Sequence, residues 1–142
     1  MKISARNVFN GTISEIKTGT VNTEIEVTLG GNDKIVAIVT NGSVSALSLT
    51  VGKAVTAIIK ASSILVLTDA EGLALSSRNV LAGYVNKVNN GPVSSEVGIS
   101  LPSGITLFAT ITHDAVDALS IQVGSAASAV FKASSVILAA TK

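Results

Sequence analysis

The feature that most restricts what this chain can fold into is a duplication. Lys60-Ala61-Ser62-Ser63 returns as Lys132-Ala133-Ser134-Ser135, and Ser4-Ala5-Arg6-Asn7-Val8 has a partner in Ser76-Ser77-Arg78-Asn79-Val80, always 72 residues on (60 to 132, 6 to 78). Gly11/Gly83, Gly19/Gly91, Val21/Val93, Glu24/Glu96, Ala37/Ala109, Thr40/Thr112, Leu47/Leu119 and Gly52/Gly124 keep the same spacing without a gap. Such a chain must use one small fold twice. Its 142 residues therefore divide into two domains, 1–69 and 73–142, with a short join at 70–72.

Within the first copy, Thr12 to Lys17 reads as a strand ending at Thr18-Gly19. Val21, Thr23, Ile25, Val27 and Leu29 then alternate with mostly polar neighbours, the period of a half-buried strand. Gly30 to Asp33 supplies a turn, and Lys34 to Thr40 a third strand rich in β-branched residues. Ser43 to Leu49 has too few β-branched residues for a strand and suits a short helix. Val51 to Lys60 and Ile64 to Leu67 complete five strands. The second copy repeats the plan, with its turn at Leu101 to Gly104 and its helix at Asp114 to Leu119. This order predicts an all-β protein of two tandem OB-like five-stranded barrels, each with a short helix; another small open barrel is the alternative.

Charge and composition narrow the function. Net charge is +1 and aromatic residues make up 3% of the chain, which argues against the basic groove and stacking platforms of an OB-type single-strand binder. No apolar run reaches the length of a membrane span, and Met1 to Asn7 has no continuous apolar core, so the cytoplasm is the expected location. Without cysteine there is no thiol catalysis or disulfide. With 47% hydrophobic and 13% charged residues, a chain this small is expected to cover part of its surface with copies of itself.

The duplicated polar residues have a common chemistry. Arg6 and Arg78 are the two arginines of the chain and fall on one repeat position; Lys60 and Lys132 fall on another. Arg, Lys, Ser and backbone N–H groups are all donors, and a fully deprotonated tetrahedral oxyanion has only acceptors. One Arg and one Lys also neutralise a dianion. Charge-assisted bonds are each worth roughly 1.5–3 kcal/mol, so four or five cover the roughly 8 kcal/mol of micromolar binding. A lone Lys-Ala-Ser-Ser is an ordinary turn between strands. Two copies that have diverged at most positions yet share these cations are harder to explain by folding alone. Neither motif holds Asp or Glu, which disfavours singly protonated phosphate and leaves molybdate, tungstate or sulfate.

Ser4-Ala5-Arg6-Asn7-x-Phe9-x-Gly11 with Lys60-Ala61-Ser62 resembles the Mop domain, a small molybdate-binding module, and two in tandem resemble the di-Mop molbindins. The second copy departs at Ser77, Leu81 and Ala82, and matches at Arg78, Asn79, Gly83, Lys132, Ala133 and Ser134. The resemblance implies an OB-like fold and molybdate as ligand, with tungstate as a mimic and no cofactor. It places the anion between neighbouring domains on Arg6, Lys60, Ala61 and Ser62, beside Ser4, Asn7 and Thr40. The matching set is Ser76, Arg78, Asn79, Thr112, Lys132, Ala133 and Ser134; Ser43 is a further candidate whose counterpart, Ala115, lacks a hydroxyl. The resemblance also implies rings of six domains, which for a two-domain chain means a homotrimer. A second anion site is expected at Val21, Asn22 and Thr23 and at Val93, Ser94 and Ser95, where hydroxyls and N–H groups recur.

Other constellations are weaker. His113, Asp114 and Asp117 face Asn41, Gly42 and Ser45 in the first copy, so they read as a helix start rather than a metal or acid–base site. Gly52-Lys53-Ala54 lacks the P-loop pattern. No nucleophile with a base can be assembled, so a non-enzyme is expected. Related modules also occur fused to DNA-binding domains or transport ATPases. With neither in this sequence, the expected role is molybdate storage or buffering, without nucleic-acid or membrane partners.

Overall fold

The structure, a computed structural model, describes residues 1–141. In the first repeat the strands are β1 (Asn7–Thr18), β2 (Asn22–Leu29), β3 (Lys34–Thr40), β4 (Ala54–Ile59) and β5 (Leu65–Leu67), with helix α1 (Asn41–Ala46) between β3 and β4. The second repeat supplies β6 (Asn79–Asn90), β7 (Ser94–Ser100), β8 (Thr106–Thr112), helix α2 (His113–Ala118), β9 (Ala126–Phe131) and β10 (Ile137–Ala139). The protein is mostly β, as the alternating pattern requires. In β2, Thr23, Ile25, Val27 and Leu29 are buried while the residues between them face outward. The turn into β3 places Gly31 and Asn32 at φ of 79° and 70°, the left-handed region glycine and asparagine tolerate best.

Two antiparallel five-stranded sheets result, with strand orders β10-β4-β1-β2-β3 and β5-β9-β6-β7-β8. The fifth strand expected to complete each repeat instead pairs in the sheet of the other one. Ile137 stands opposite Ile58, and Leu65 opposite Val130. By packing, the compact units are Met1–Ile59 with the described residues from Lys132 on, and Lys60–Phe131. The local cause lies at the end of β4. Ile59 is still paired with Asn7, and a 3₁₀ turn at Ala61–Ser63 follows at once, so the chain leaves its own sheet rather than reversing onto it.

Within each unit the sheet curls until its edges approach, β10 against β3 and β5 against β8. The long strands β1 and β6 make this possible. Each serves two neighbours and shifts register at a bulge, between Ile13 and Glu15 and between Val85 and Lys87. Gly11 and Gly83 stand just before the bulges. A Cβ on Gly11 would lie 2.7 Å from Thr28 O, and one on Gly83 2.2 Å from Ser100 O, so the close strand approach needs glycine there. Inside the curl the first unit packs Ile13, Ile25, Val27, Ile35, Val55 and Ile59, and the second Val85, Val97, Ile99, Leu107 and Phe131. Val136 is buried in the first unit and Ile64 in the second, so the exchanged segments carry core residues with them.

Candidate functional site

The repeated polar residues gather at strand ends. Arg6 precedes β1 and Lys60 follows β4; Arg78 precedes β6 and Lys132 follows β9. Ser4, Arg6, Lys60, Ser62, Ser76, Arg78, Lys132 and Ser134 are all exposed, so charge and hydroxyls stay at the surface. Ala133 between Lys132 and Ser134 is buried and Ala61 half-buried, which presses the backbone of each turn against its unit.

Strand exchange decides which of these residues share a unit. The turn Ala133–Ser135 packs against β3, whose last residue is Thr40. The turn Ala61–Ser63 packs against β8, whose last residue is Thr112. Each unit thus joins the Arg and Thr of one repeat to a Lys-Ala-Ser-Ser segment numbered with the other. Thr40 caps α1 by accepting from the Ser43 N–H at 3.1 Å, and its Oγ1 lies 2.9 Å from the Ser43 hydroxyl. Thr112 caps α2 through the Ala115 N–H at 3.1 Å, with no second hydroxyl beside it.

Asn7 and Asn79 behave differently from their charged neighbours. They are 0% and 1% exposed, and Asn7 Nδ2 donates to the Ile59 carbonyl at 3.2 Å. Their side chains are sealed into the sheet instead of being offered to solvent. The signal was present in the sequence, since Asn7, Phe9, Gly11 and Ile13 share the parity of one strand face.

The residues of the expected second anion site lie at the β1–β2 and β6–β7 turns and in the first residues of β2 and β7, where their polar groups are largely consumed internally. Thr23 donates to Asn41 Oδ1 at 2.6 Å, and Asn41 Nδ2 donates to Gly19 O at 3.0 Å. Ser95 donates to Asn90 Oδ1 at 2.9 Å. Val21 and Val93 side chains are exposed, while their carbonyls accept from Asn41 and His113 N–H groups. Asn22 and Ser94 give their carbonyls to the N–H groups of Gly19 and Gly91. A hollow of about 260 Å³ beside Ser94 and Ser95 is also lined by Glu96, whose charge opposes an anion.

Two larger hollows, about 370 and 400 Å³, lie along β1–β4 and β6–β9; among the described residues no Lys or Arg lines either one. His113 Nε2 stands 3.2 Å from Asp117 Oδ2, and among the described residues no three His, Asp or Glu side chains group as metal ligands. Among those residues, too, no helix is long and apolar enough to cross a membrane.

Two curled five-stranded sheets, with Arg and Lys flanking their strand ends, define a tandem of small all-β modules. The chain belongs to the TOBE-domain family, whose model matches residues 3–66 and 75–138, two domains in tandem. It is similar to a crystal structure of the cytoplasmic molybdate-binding protein ModG with molybdate bound, at 47% identity and a TM-score of 0.95, covering 99% of this chain and 100% of that one. Among curated relatives, the molybdenum transport protein ModE of Herbaspirillum seropedicae is 47% identical over 98% of this chain and 52% of its own length. The molybdenum-pterin-binding protein MopA of Rhodobacter capsulatus is 36% identical over 98% of this chain and 52% of its own. The chain spans about half the length of these curated relatives.

Proposed function

We propose that this protein binds molybdate, with tungstate as a mimic, and serves as a cytoplasmic store or buffer for it. The observation that carries the reading is the likeness to molybdate-bound ModG, which runs the full length of both chains. The chemistry of the repeated residues supports it independently. Arg6, Lys60, Arg78 and Lys132 supply charge, and Ser4, Thr40, Ser43, Ser62, Ser76, Thr112 and Ser134 supply hydroxyls. Backbone N–H groups at Ala61 and Ala133 add neutral donors, and the set holds no carboxylate to repel a dianion. The protein acts by binding rather than catalysis, and three chains associate to cover the exposed apolar residues of each unit, among them Val8, Val80, Leu65 and Ile137.

Calorimetric titration with molybdate, tungstate and sulfate tests this. Micromolar or tighter molybdate binding is expected, weakened about 100-fold or more in the Lys60→Ala/Lys132→Ala variant, since each lysine supplies a charge-assisted bond. Undiminished uptake by that variant removes these lysines from the site. Sedimentation of the same samples as a clean monomer removes the trimer.

A further inference from the structure

The peptide unit ahead of each lysine is held by a side chain, and in the second repeat a hydroxyl that the first repeat lacks takes part. In the first repeat the buried Asn7 amide donates to Ile59 O at 3.2 Å. That carbonyl and the Lys60 N–H belong to one planar peptide unit, so fixing the oxygen fixes the plane from which Lys60 departs. Lys60 then enters its turn at φ −66° and ψ 137°, and Ser63 N–H closes on Lys60 O at 2.9 Å.

In the second repeat the equivalent carbonyl, Phe131 O, accepts from the Ser77 hydroxyl at 2.9 Å. The same hydroxyl lies 3.2 Å from Asn79 O, which joins both strand ends to one oxygen atom. Lys132 departs at φ −72° and ψ 141°, with Ser135 N–H closing on Lys132 O at 2.9 Å. Ala5 occupies the Ser77 position in the first repeat and has no hydroxyl to give.

We propose that Asn7 and Ser77 are positioning residues for the oxyanion-binding lysines, and that the Ser77 hydroxyl makes the Lys132 site the better organised and tighter of the two. The inference rests on the molybdate reading above. Neither residue touches the anion in this account. Each restricts the backbone that carries a donor, so less freedom is lost on binding. The same backbone dihedrals at both lysines show that the hydroxyl does not change the geometry; it changes how firmly that geometry is kept.

The test is calorimetric titration of the full chain with sodium molybdate, alongside thermal unfolding. The wild type should show two classes of site. Ser77→Ala should weaken the tighter class about threefold to tenfold, as expected for one neutral hydrogen bond, and remove its advantage over the other. Ser77→Thr keeps a hydroxyl and should restore the gap. Ala5→Ser adds a hydroxyl to the first repeat and should tighten the weaker class, whatever Ser77→Ala does to folding. Lower thermal stability without a change in the ratio of the two affinities would make Ser77 purely structural and overturn the proposal. Absence of molybdate binding by the wild type would overturn the functional reading, and this inference with it.

Discussion

At the bulge of the first sheet, Ser14 donates to Glu26 Oε1 at 2.8 Å and accepts from Thr28 at 2.9 Å, while Lys34 sits 3.4 Å from the Glu26 carboxylate. At the bulge of the second, the positions of Ser14, Glu26 and Lys34 hold Asn86, Gly98 and Thr106. There the Asn86 amide donates to the Thr106 hydroxyl at 3.1 Å, and a Cβ on Gly98 would meet Asn86 Oδ1 at 2.5 Å. A short hydroxyl with a long carboxylate has become a longer amide with no side chain opposite. The helix ends differ in the same way. Lys53 Nζ donates to the carbonyl of Leu47, the residue that ends α1. Its counterpart Ser125 instead accepts from the Gln122 N–H at 3.2 Å. The bulge and the helix end each have to be satisfied, but several residue sets satisfy them. The strand ends keep Arg, Asn, Lys and Ala in both repeats; burial accounts for Asn, and the proposed oxyanion site accounts for the exposed Arg and Lys.

This contrast can be pressed where folding alone sets the residue. Gly83→Ala should destabilise the protein by about 3 kcal/mol, at the upper end for an overpacked site, because its Cβ would meet backbone on the partner strand at 2.2 Å. Gly11→Ala, with its nearest backbone atom at 2.7 Å, should cost less. Thermal unfolding of both variants checks the order, and equal losses would show that the two bulges are equally tight.

A smaller effect separates the units by pH. The hydrogen bond from Ser14 holds the Glu26 carboxyl below its usual value of 4.5, with Lys34 and Lys17 adding to the effect and slight burial opposing it. A carboxyl lowered on folding stabilises above its unfolded value, and that contribution is lost as pH falls through the lowered one. Wild type should therefore lose stability below pH 4.5 more steeply than Glu26→Gln, although the partial exposure of this carboxylate keeps the difference small. Identical acid limbs would show that the pair with Ser14 adds nothing. Gly98 leaves the second sheet without this group.

Much of this was legible in the sequence, because the repeat aligns without gaps and the strands alternate cleanly. Lys34–Thr40 is a strand with the expected limits. The α1 helix begins at Asn41, two residues before its first expected position, because Thr40 caps it through Ser43 N–H. β1 begins at Asn7 rather than Thr12, since Asn7 reads as polar yet is buried. Strand exchange left no trace in the pattern. Leu65-Val66-Leu67 and Ile137-Leu138-Ala139 are equally apolar and equally short, so periodicity cannot say which β4-type edge each one joins. The cations of the candidate site were legible as a repeated pair. The supporting role of Ser77 was not, because it depends on a carbonyl 54 residues away.

In the proposed function an unprotonated metal oxyanion rests on the lysines and arginines at the strand ends. Crystals grown with molybdate and measured at the molybdenum absorption edge test it most directly. Anomalous peaks are expected within hydrogen-bonding distance of the Lys60 and Lys132 ammonium groups. Peaks confined to other places, with all four cationic side chains unoccupied, would contradict it.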